Sequence, residues 1–391
     1  MREIVIAGAG LGEFTSEVAN AVNESDVVIA DSRFAGMIPA GKKIIPVKNF
    51  SQLENESGKI LILVSGDPGV FSLLPVIKNR YPDENIRVLP GISSLQAICA
   101  HACETWHNAA VLSGHGRSLS AGQFLNTVER NRVTILFCDK NISPSWACEK
   151  LACIDGVDVF IGSCLGGNDE RIFSGSPERF AGCDFPELSI ILIRNKNPYT
   201  PERLLLRDRD FLREPRIVMT NESVRSVIIS RLEMRNDSVL WDIGAGSGSI
   251  SVNAGNIFPF SEIHAVDFNP SAAKLISLNA QKFHLHNVTI HNKRALDVID
   301  ELPTPTHIFI GGTGGELSGL LRHISAMNTP LRIVIACVTL ETLTEAYTTL
   351  KDFANFEAVQ ISASSSKTLA PSLTMMKAQN PVTILSANYT V

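Results

Sequence analysis

A chain of 391 residues, 45% apolar and 19% charged, can bury more than one hydrophobic core, which excludes a disordered or low-complexity protein. Its net charge of −5 excludes broad binding to nucleic acid or to an anionic membrane surface, although a local basic pocket is compatible with it. No stretch approaches the ~18 uninterrupted apolar residues of a spanning helix. The opening residues run almost at once into a strand without the apolar run of a signal peptide, so the expected setting is cytoplasmic. In chain order, Ile4 to Gly8 reads as a strand, Glu13 to Asn23 as a helix, and Asp26 to Ala30 and Lys59 to Ser65 as strands. A helix over Val70 to Arg80, a strand over Ile86 to Leu89 and a helix from Leu95 follow. Val133 to Phe137, Val157 to Ser163 and Glu187 to Arg194 are further strands, and the alternation predicts an α/β fold with a largely parallel sheet.

Residues Asn195 to Pro215 break this pattern with prolines and the dense mixed charge of Arg207-Asp-Arg-Asp210, which predicts an exposed connector. The alternation restarts at Val224. Strands are expected at 239–243, 263–267, 288–291, 307–311 and 332–338, with a closing strand near Pro381 to Ser386. There is no internal repeat, so the two halves are different α/β domains. The expected division is 1–197, a linker over 198–216, and 217–391. Eight cysteines are present without a CxxC pair. Cys99 and Cys103 would share a helix face near His101 and His107, but they read as small apolar thiols, and no metal site is assigned.

The most informative stretch is Val239-Leu-Trp-Asp-Ile-Gly-Ala-Gly-Ser-Gly-Ser-Ile250. A strand enters a turn carrying Gly244, Ala245, Gly246, Ser247 and Gly248. A helix follows, and then a second strand ends in Asp267. Glycines allow close backbone approach to a ligand, and an acid in this position suits a ribose diol. The spacing is GxGxG, not the dinucleotide GxGxxG. A methyl donor carries no phosphates to cradle, so S-adenosylmethionine is favoured over a nicotinamide dinucleotide. Asp242 closes the first strand and anchors either the loop or the cofactor's amino-acid end. Gly311 and Gly312, in Phe309-Ile-Gly-Gly-Thr-Gly-Gly315, follow a strand and belong either to the ligand crevice or to a flexible βα loop.

Four turns follow strands in the first half. They hold Gly8 and Gly10, then Gly66, Asp67 and Gly69, then Ser93 and Ser94, then His115 and Arg117. Each alone is a common βα turn, but together they could ring one crevice. Asp67 is a turn cap or a pocket residue, and Ser93 and Ser94 cap a helix or touch the ligand. His115 orients substrate, shuttles a proton or is merely a turn residue. Arg117 pairs with a substrate carboxylate or is solvated.

These motifs carry a resemblance. The quartet of turns resembles the tetrapyrrole methylases, except that Leu11 stands where Gly-Pro-Gly is frequent. The pieces Trp241-Asp-Ile-Gly-Ala-Gly-Ser-Gly-Ser249, Ala265-Val-Asp-Phe-Asn-Pro270, Phe309-Ile-Gly-Gly312, Val338-Thr-Leu-Glu341 and Asn380-Pro-Val382 resemble the decarboxylating methyltransferase domain of cobalamin biosynthesis. In this order, the halves resemble the fused C-5,15-methyltransferases of that pathway. The resemblance implies a two-lobed tetrapyrrole methylase-type α/β domain followed by a Rossmann-like class I methyltransferase domain. It also implies one S-adenosylmethionine in each domain, a corrin precursor (precorrin-6B or its cobalt form) as substrate, no nucleic-acid or membrane partner, and a homo-oligomer. Thr220, the Gly244–Gly248 loop, Asp267 and Ala295 would contact the cofactor, by resemblance. Arg33, Arg117, Arg171, Arg225 and Arg294 are candidate carboxylate clamps; Arg225 and Arg117 come first because they lie within motif segments, and with His115 they form the candidate catalytic set. Asn221, Ser223 and Asn253 depart from the family's usual residues. The competing readings are therefore another two-domain methyltransferase and a partly inactive cofactor-binding relative.

Overall fold

The computed structural model describes residues 2–115 and 119–390, without the side chain of Phe50. It divides into two compact units, Met1–Leu119 with Asn131–Pro198, and Ser120–Arg130 with Tyr199–Val391. Helix Ala121–Arg130 groups with the second unit although it lies among residues of the first in sequence.

Among the described residues, ten strands build the first unit: β1 (Glu3–Gly8), β2 (Val27–Ala30), β3 (Lys43–Pro46), β4 (Lys59–Val64), β5 (Asn85–Leu89), β6 (Ala110–Ser113), β7 (Val133–Phe137), β8 (Val157–Ser163), β9 (Arg171–Gly175) and β10 (Ser189–Asn195). The first sheet, ordered β3-β2-β4-β1-β5, is parallel throughout. Its central strands read as continuous apolar runs because both faces are covered: Ile60, Leu61, Ile62 and Leu63 are all fully buried. Helix Ser16–Glu24 starts later than the apolar pattern suggests, at the Thr15 cap, whose hydroxyl accepts the Val18 N–H at 3.3 Å. The second sheet, ordered β6-β7-β10-β8-β9, corrects the expectation of parallel pairing. Only β6–β7 is parallel, while β10 runs antiparallel to both β7 and β8, and β8 to β9. The turn from Ser163 to Arg171 is too short for a crossover helix, so β9 has to return antiparallel. Cys99 and Cys103 also separate: Cys99 is buried within helix Ser94–His101, whereas Cys103 is exposed beyond its end at φ 48°.

The second unit adds β11 (Val239–Ile243), β12 (Glu262–Val266), β13 (Val288–His291), β14 (His307–Ile310), β15 (Leu331–Cys337), β16 (Ala354–Ile361), β17 (Ser364–Ala370), β18 (Leu373–Ala378) and β19 (Val382–Tyr389). Seven of these form one sheet, β13-β12-β11-β14-β15-β19-β16, parallel up to β15. The expected closing strand is β19, which inserts antiparallel between β15 and β16. β17 and β18 pair as a separate antiparallel ribbon whose residues are all exposed, so no buried face marks it in the sequence. No helix among the described residues is long and apolar enough to cross a membrane.

The stretch expected to be an exposed connector is partly core. Leu206 and Phe211 are buried against Val252, Ala280 and Phe283. Its charges are largely consumed internally. Arg225 is 1% exposed and donates to Asp208 Oδ1 at 3.0 Å, Leu206 O at 2.7 Å and Thr220 O at 2.5 Å, with its guanidinium 4.9 Å from the Phe211 ring centre. Dense mixed charge reads as solvated in sequence, but a buried arginine from helix Glu222–Leu232 gathers these groups.

Candidate active site

β11 delivers the chain to the glycine turn at the carboxyl edge of its sheet, between β12 and β14. Gly244 adopts φ 72°, and a Cβ built there would lie 2.2 Å from Gly312 O, so two backbone loops touch where only glycine fits. Gly248 is required for a different reason: its Cβ would sit 2.9 Å from Ile276 Cγ2, against helix Pro270–Lys282.

The turn's N–H groups all have partners within the protein. Gly244 and Ala245 donate to Val266 O at 2.9 and 3.1 Å, Ser247 to Val218 O at 3.0 Å and Gly248 to Ala245 O at 2.9 Å. Gly246 donates to Asp267 Oδ2 at 2.8 Å, and Asp267 Oδ1 accepts the Asn269 N–H at 2.9 Å. A pyrophosphate would need such donors free, as in dinucleotide sites. This turn suits a ligand that approaches by shape and presents hydroxyls to a carboxylate.

Beside the turn lies a cavity of about 350 Å³, within the range of small-molecule sites. Thr220, Gly244, Ala245, Gly246, Asp267, Ala295, Gly311 and Gly312 all line it, so these sequence-selected residues do converge. Ile243, Ile250, Phe268 and Phe309 provide apolar wall suited to a flat base. Phe268, Asn269, Lys293, Arg294 and Glu316 also line it. Of these, only Arg294 was singled out from sequence, as a substrate clamp; the run Asp267-Phe-Asn269 was the available signal for the first two. The fit to S-adenosylmethionine rests on the touching Gly244 and Gly312 backbones, the acceptor-only Asp267 carboxylate and the apolar wall.

Four selected residues of this unit lie outside that lining. Ser247 is buried, and Gly248 packs against the helix beyond. Asp242 is fully buried and anchors helix Ser249–Ile257: its Oδ2 accepts the Ser251 N–H at 3.0 Å and also the Ser251 hydroxyl. Burial, with the nearby Asp267 charge adding, lifts its pKa to about 6. Its side-chain contacts go to the helix after the turn. Arg225 does not face the cavity, because its donors are spent on Asp208, Leu206 and Thr220; its candidate catalytic role is corrected to a structural one. Two of the three departing residues serve the same attachment. Asn221 caps helix Glu222–Leu232 and donates to Asp208 Oδ2 at 3.2 Å, and Asn253 Oδ1 accepts the Leu206 N–H at 2.9 Å.

In the first unit, the turns after β1, β4 and β5 meet. A Cβ on Gly8 would lie 2.3 Å from Gly66 O and 2.7 Å from Gly91 N, while Gly10 and Gly66 exchange N–H···O bonds of 3.4 and 3.3 Å. Asp67 clamps two turns, accepting from Gly69 N at 2.7 Å and Gly91 N at 3.1 Å. Ser93 caps helix Ser94–His101 in a reciprocal box with Gln96, and Ser94 is that helix's first residue. The capping roles weighed for Asp67 and Ser93 are thus present. Gly91, in the turn that leads to Ser93 and Ser94, was not among the residues selected from sequence. His115 is exposed just after β6, its N–H bonded to Ser113 Oγ at 3.2 Å, and Arg117 lies outside the described residues. Of the other candidate clamps, Arg33 lies beside Asp31 at 3.6 Å, Arg171 is exposed and Arg294 pairs with Glu316 at 2.5 Å.

Comparisons with known proteins agree with both halves. Residues 3–180 match the family of tetrapyrrole (corrin/porphyrin) methylases, and residues 214–388 match the precorrin methyltransferase domain. A probable cobalt-precorrin-6B C(15)-methyltransferase (decarboxylating) of Pyrobaculum calidifontis is 36% identical over 183 residues, covering 46% of this chain and 93% of that relative. A precorrin-6Y C(5,15)-methyltransferase (decarboxylating) of Sinorhizobium is 27% identical over 291 residues, covering 72% of this chain and 68% of the relative. A crystal structure of precorrin-6Y C5,15-methyltransferase from Geobacter metallireducens aligns with 33% identity and a TM-score of 0.44, over 48% of this chain and 97% of that one. The protein is a methyltransferase of a family whose methyl donor is S-adenosylmethionine, and the chain belongs to the precorrin methyltransferases.

Proposed function

We propose that this chain methylates precorrin-6B, or its cobalt form, at carbons 5 and 15 and removes the ring C acetate carboxyl as carbon dioxide, within cobalamin biosynthesis. The first unit would perform the carbon-5 methylation. The second would perform the carbon-15 methylation and the decarboxylation, and each would hold one S-adenosylmethionine. The observation that carries the cofactor assignment is the glycine turn of the second unit: its N–H donors are all engaged internally, yet it borders a cavity that the Asp267 carboxylate also lines. The substrate assignment follows the likeness of residues 214–388 and 3–180 to enzymes named for this chemistry.

When bound, S-adenosylmethionine supplies an electrophilic methyl on a sulfonium. The protein's task is then alignment. Asp267 would accept from the ribose hydroxyls, while Ile243, Ile250 and Phe309 shield the base. The touching Gly244 and Gly312 backbones let the ligand lie against main chain, without side chains intervening. Alignment of this kind can contribute roughly 7–11 kcal/mol, so no strong protein base is required. In the first unit, Gly8, Gly10, Gly66, Asp67 and Gly69 would form the corresponding wall, with His115 at the substrate side.

Incubation with the tetrapyrrole and donor, followed by mass spectrometry, tests the reading: two methyl gains and one carbon dioxide loss are expected. Titration calorimetry should find two donor sites in the full chain. Absence of any methyl gain, or a nicotinamide dinucleotide binding in place of the donor, would overturn it.

A further inference from the structure

Three cations line the cavity of the second unit: Arg216, Lys293 and Arg294. Two of them are neutralised. Lys293 Nζ lies 2.9 Å from Glu301 Oε2, and Arg294 Nη1 lies 2.5 Å from Glu316 Oε1. Arg216 is exposed and has no ion pair or side-chain hydrogen bond with any described residue.

Its backbone is nevertheless held in place. Ile217 N donates to Glu214 O at 3.0 Å, and Val218 O accepts from Ser247 N at 3.0 Å and lies 2.6 Å from the position a Cβ on Gly246 would take. The segment carrying Arg216 is therefore laid directly over the glycine turn. Two large apolar side chains stand out in the same cavity wall, Val218 at 80% exposure and Phe268 at 65%. Next to a guanidinium unpaired among the described residues, these two side chains match a flat ligand with an acidic rim.

We infer that Arg216 binds a carboxylate of the macrocyclic substrate, with Val218 and Phe268 against the ring face. The inference rests on the function proposed above and names the residue that recognises its substrate. The carboxylate held is one that survives the reaction. A guanidinium on the departing carboxylate would stabilise the charge that must disperse into the macrocycle as carbon dioxide leaves, and would slow that step.

The test uses the full chain carrying Arg216→Ala or Arg216→Lys, with precorrin-6B as substrate. Arg216→Ala should raise KM for carbon-15 methylation roughly tenfold or more, as expected for loss of a charge-assisted contact, with kcat within about twofold. Arg216→Lys should recover part of that loss. The ratio of carbon dioxide released to carbon-15 methyl gained should stay at the unsubstituted chain's value. Binding of S-adenosylmethionine by calorimetry and methylation at carbon 5 should not change. An unchanged KM would overturn the assignment, as would weakened donor binding, which would make Arg216 a cofactor residue. A shifted carbon dioxide to methyl ratio would place it on the departing group instead. Failure of the unsubstituted chain to methylate carbon 15 at all would remove the functional reading and this inference with it, whereas normal turnover with an indifferent Arg216→Ala removes this inference alone.

Discussion

The two units use glycine at strand ends to different effect. In the second, Gly244 and Gly312 touch and hold open one side of a cavity of about 350 Å³, and Asp267 spends one lone pair of each oxygen on the turn while still lining the space. In the first, Gly8, Gly66 and Gly91 meet one another, and both oxygens of Asp67 clamp neighbouring turns. A glycine-rich βα turn is thus a device for backbone contact between loops, and the neighbouring turn decides which backbone it meets.

Substitutions in matched pairs sharpen this contrast. The largest effect is expected from Gly244→Ala, whose methyl would collide with Gly312 backbone at an unfavourable φ. Carbon-15 methylation should fall on the order of 100-fold, about 3 kcal/mol, with carbon-5 methylation retained; Gly8→Ala should do the reverse, and equal loss of both activities in either variant would break the assignment of separate sites. Next, Asp267→Asn should weaken donor binding at the second site by roughly 10–30-fold in calorimetry, since a charged acceptor is lost. Asp67→Asn should instead lower the melting temperature of the first unit, because its oxygens serve turns.

The last effect is on stability and concerns pH. Asp242 has a folded pKa of about 6 against an ordinary 3.8. Between about pH 4 and pH 6 the folded state holds a proton that the unfolded chain has released, so this group's contribution makes stability fall as pH rises through that window, by at most about 3 kcal/mol. Subtracting the melting profile of Asp242→Asn from that of the parent should isolate the slope. Identical profiles would show that Asp242 titrates normally.

What could be read from the sequence was local. The strand–turn–helix–strand order of residues 239–267, the placement of Asp267 and most strand positions follow from side-chain periodicity and from the few conformations glycine alone permits, both of which act over a handful of residues. Burial and partner choice act between residues far apart in the chain, and these only the tertiary structure decided. Arg225 looked like a clamp until Asp208, Leu206 and Thr220 took its donors; the charged stretch around Asp208 looked solvated until Leu206 and Phe211 were buried. The antiparallel second sheet and the exposed ribbon of β17 and β18 were likewise invisible, because strand direction and an unburied strand leave no periodic signature. Arg216 sits in that same unread connector, and it stands out only once Lys293 and Arg294 are seen paired with carboxylates.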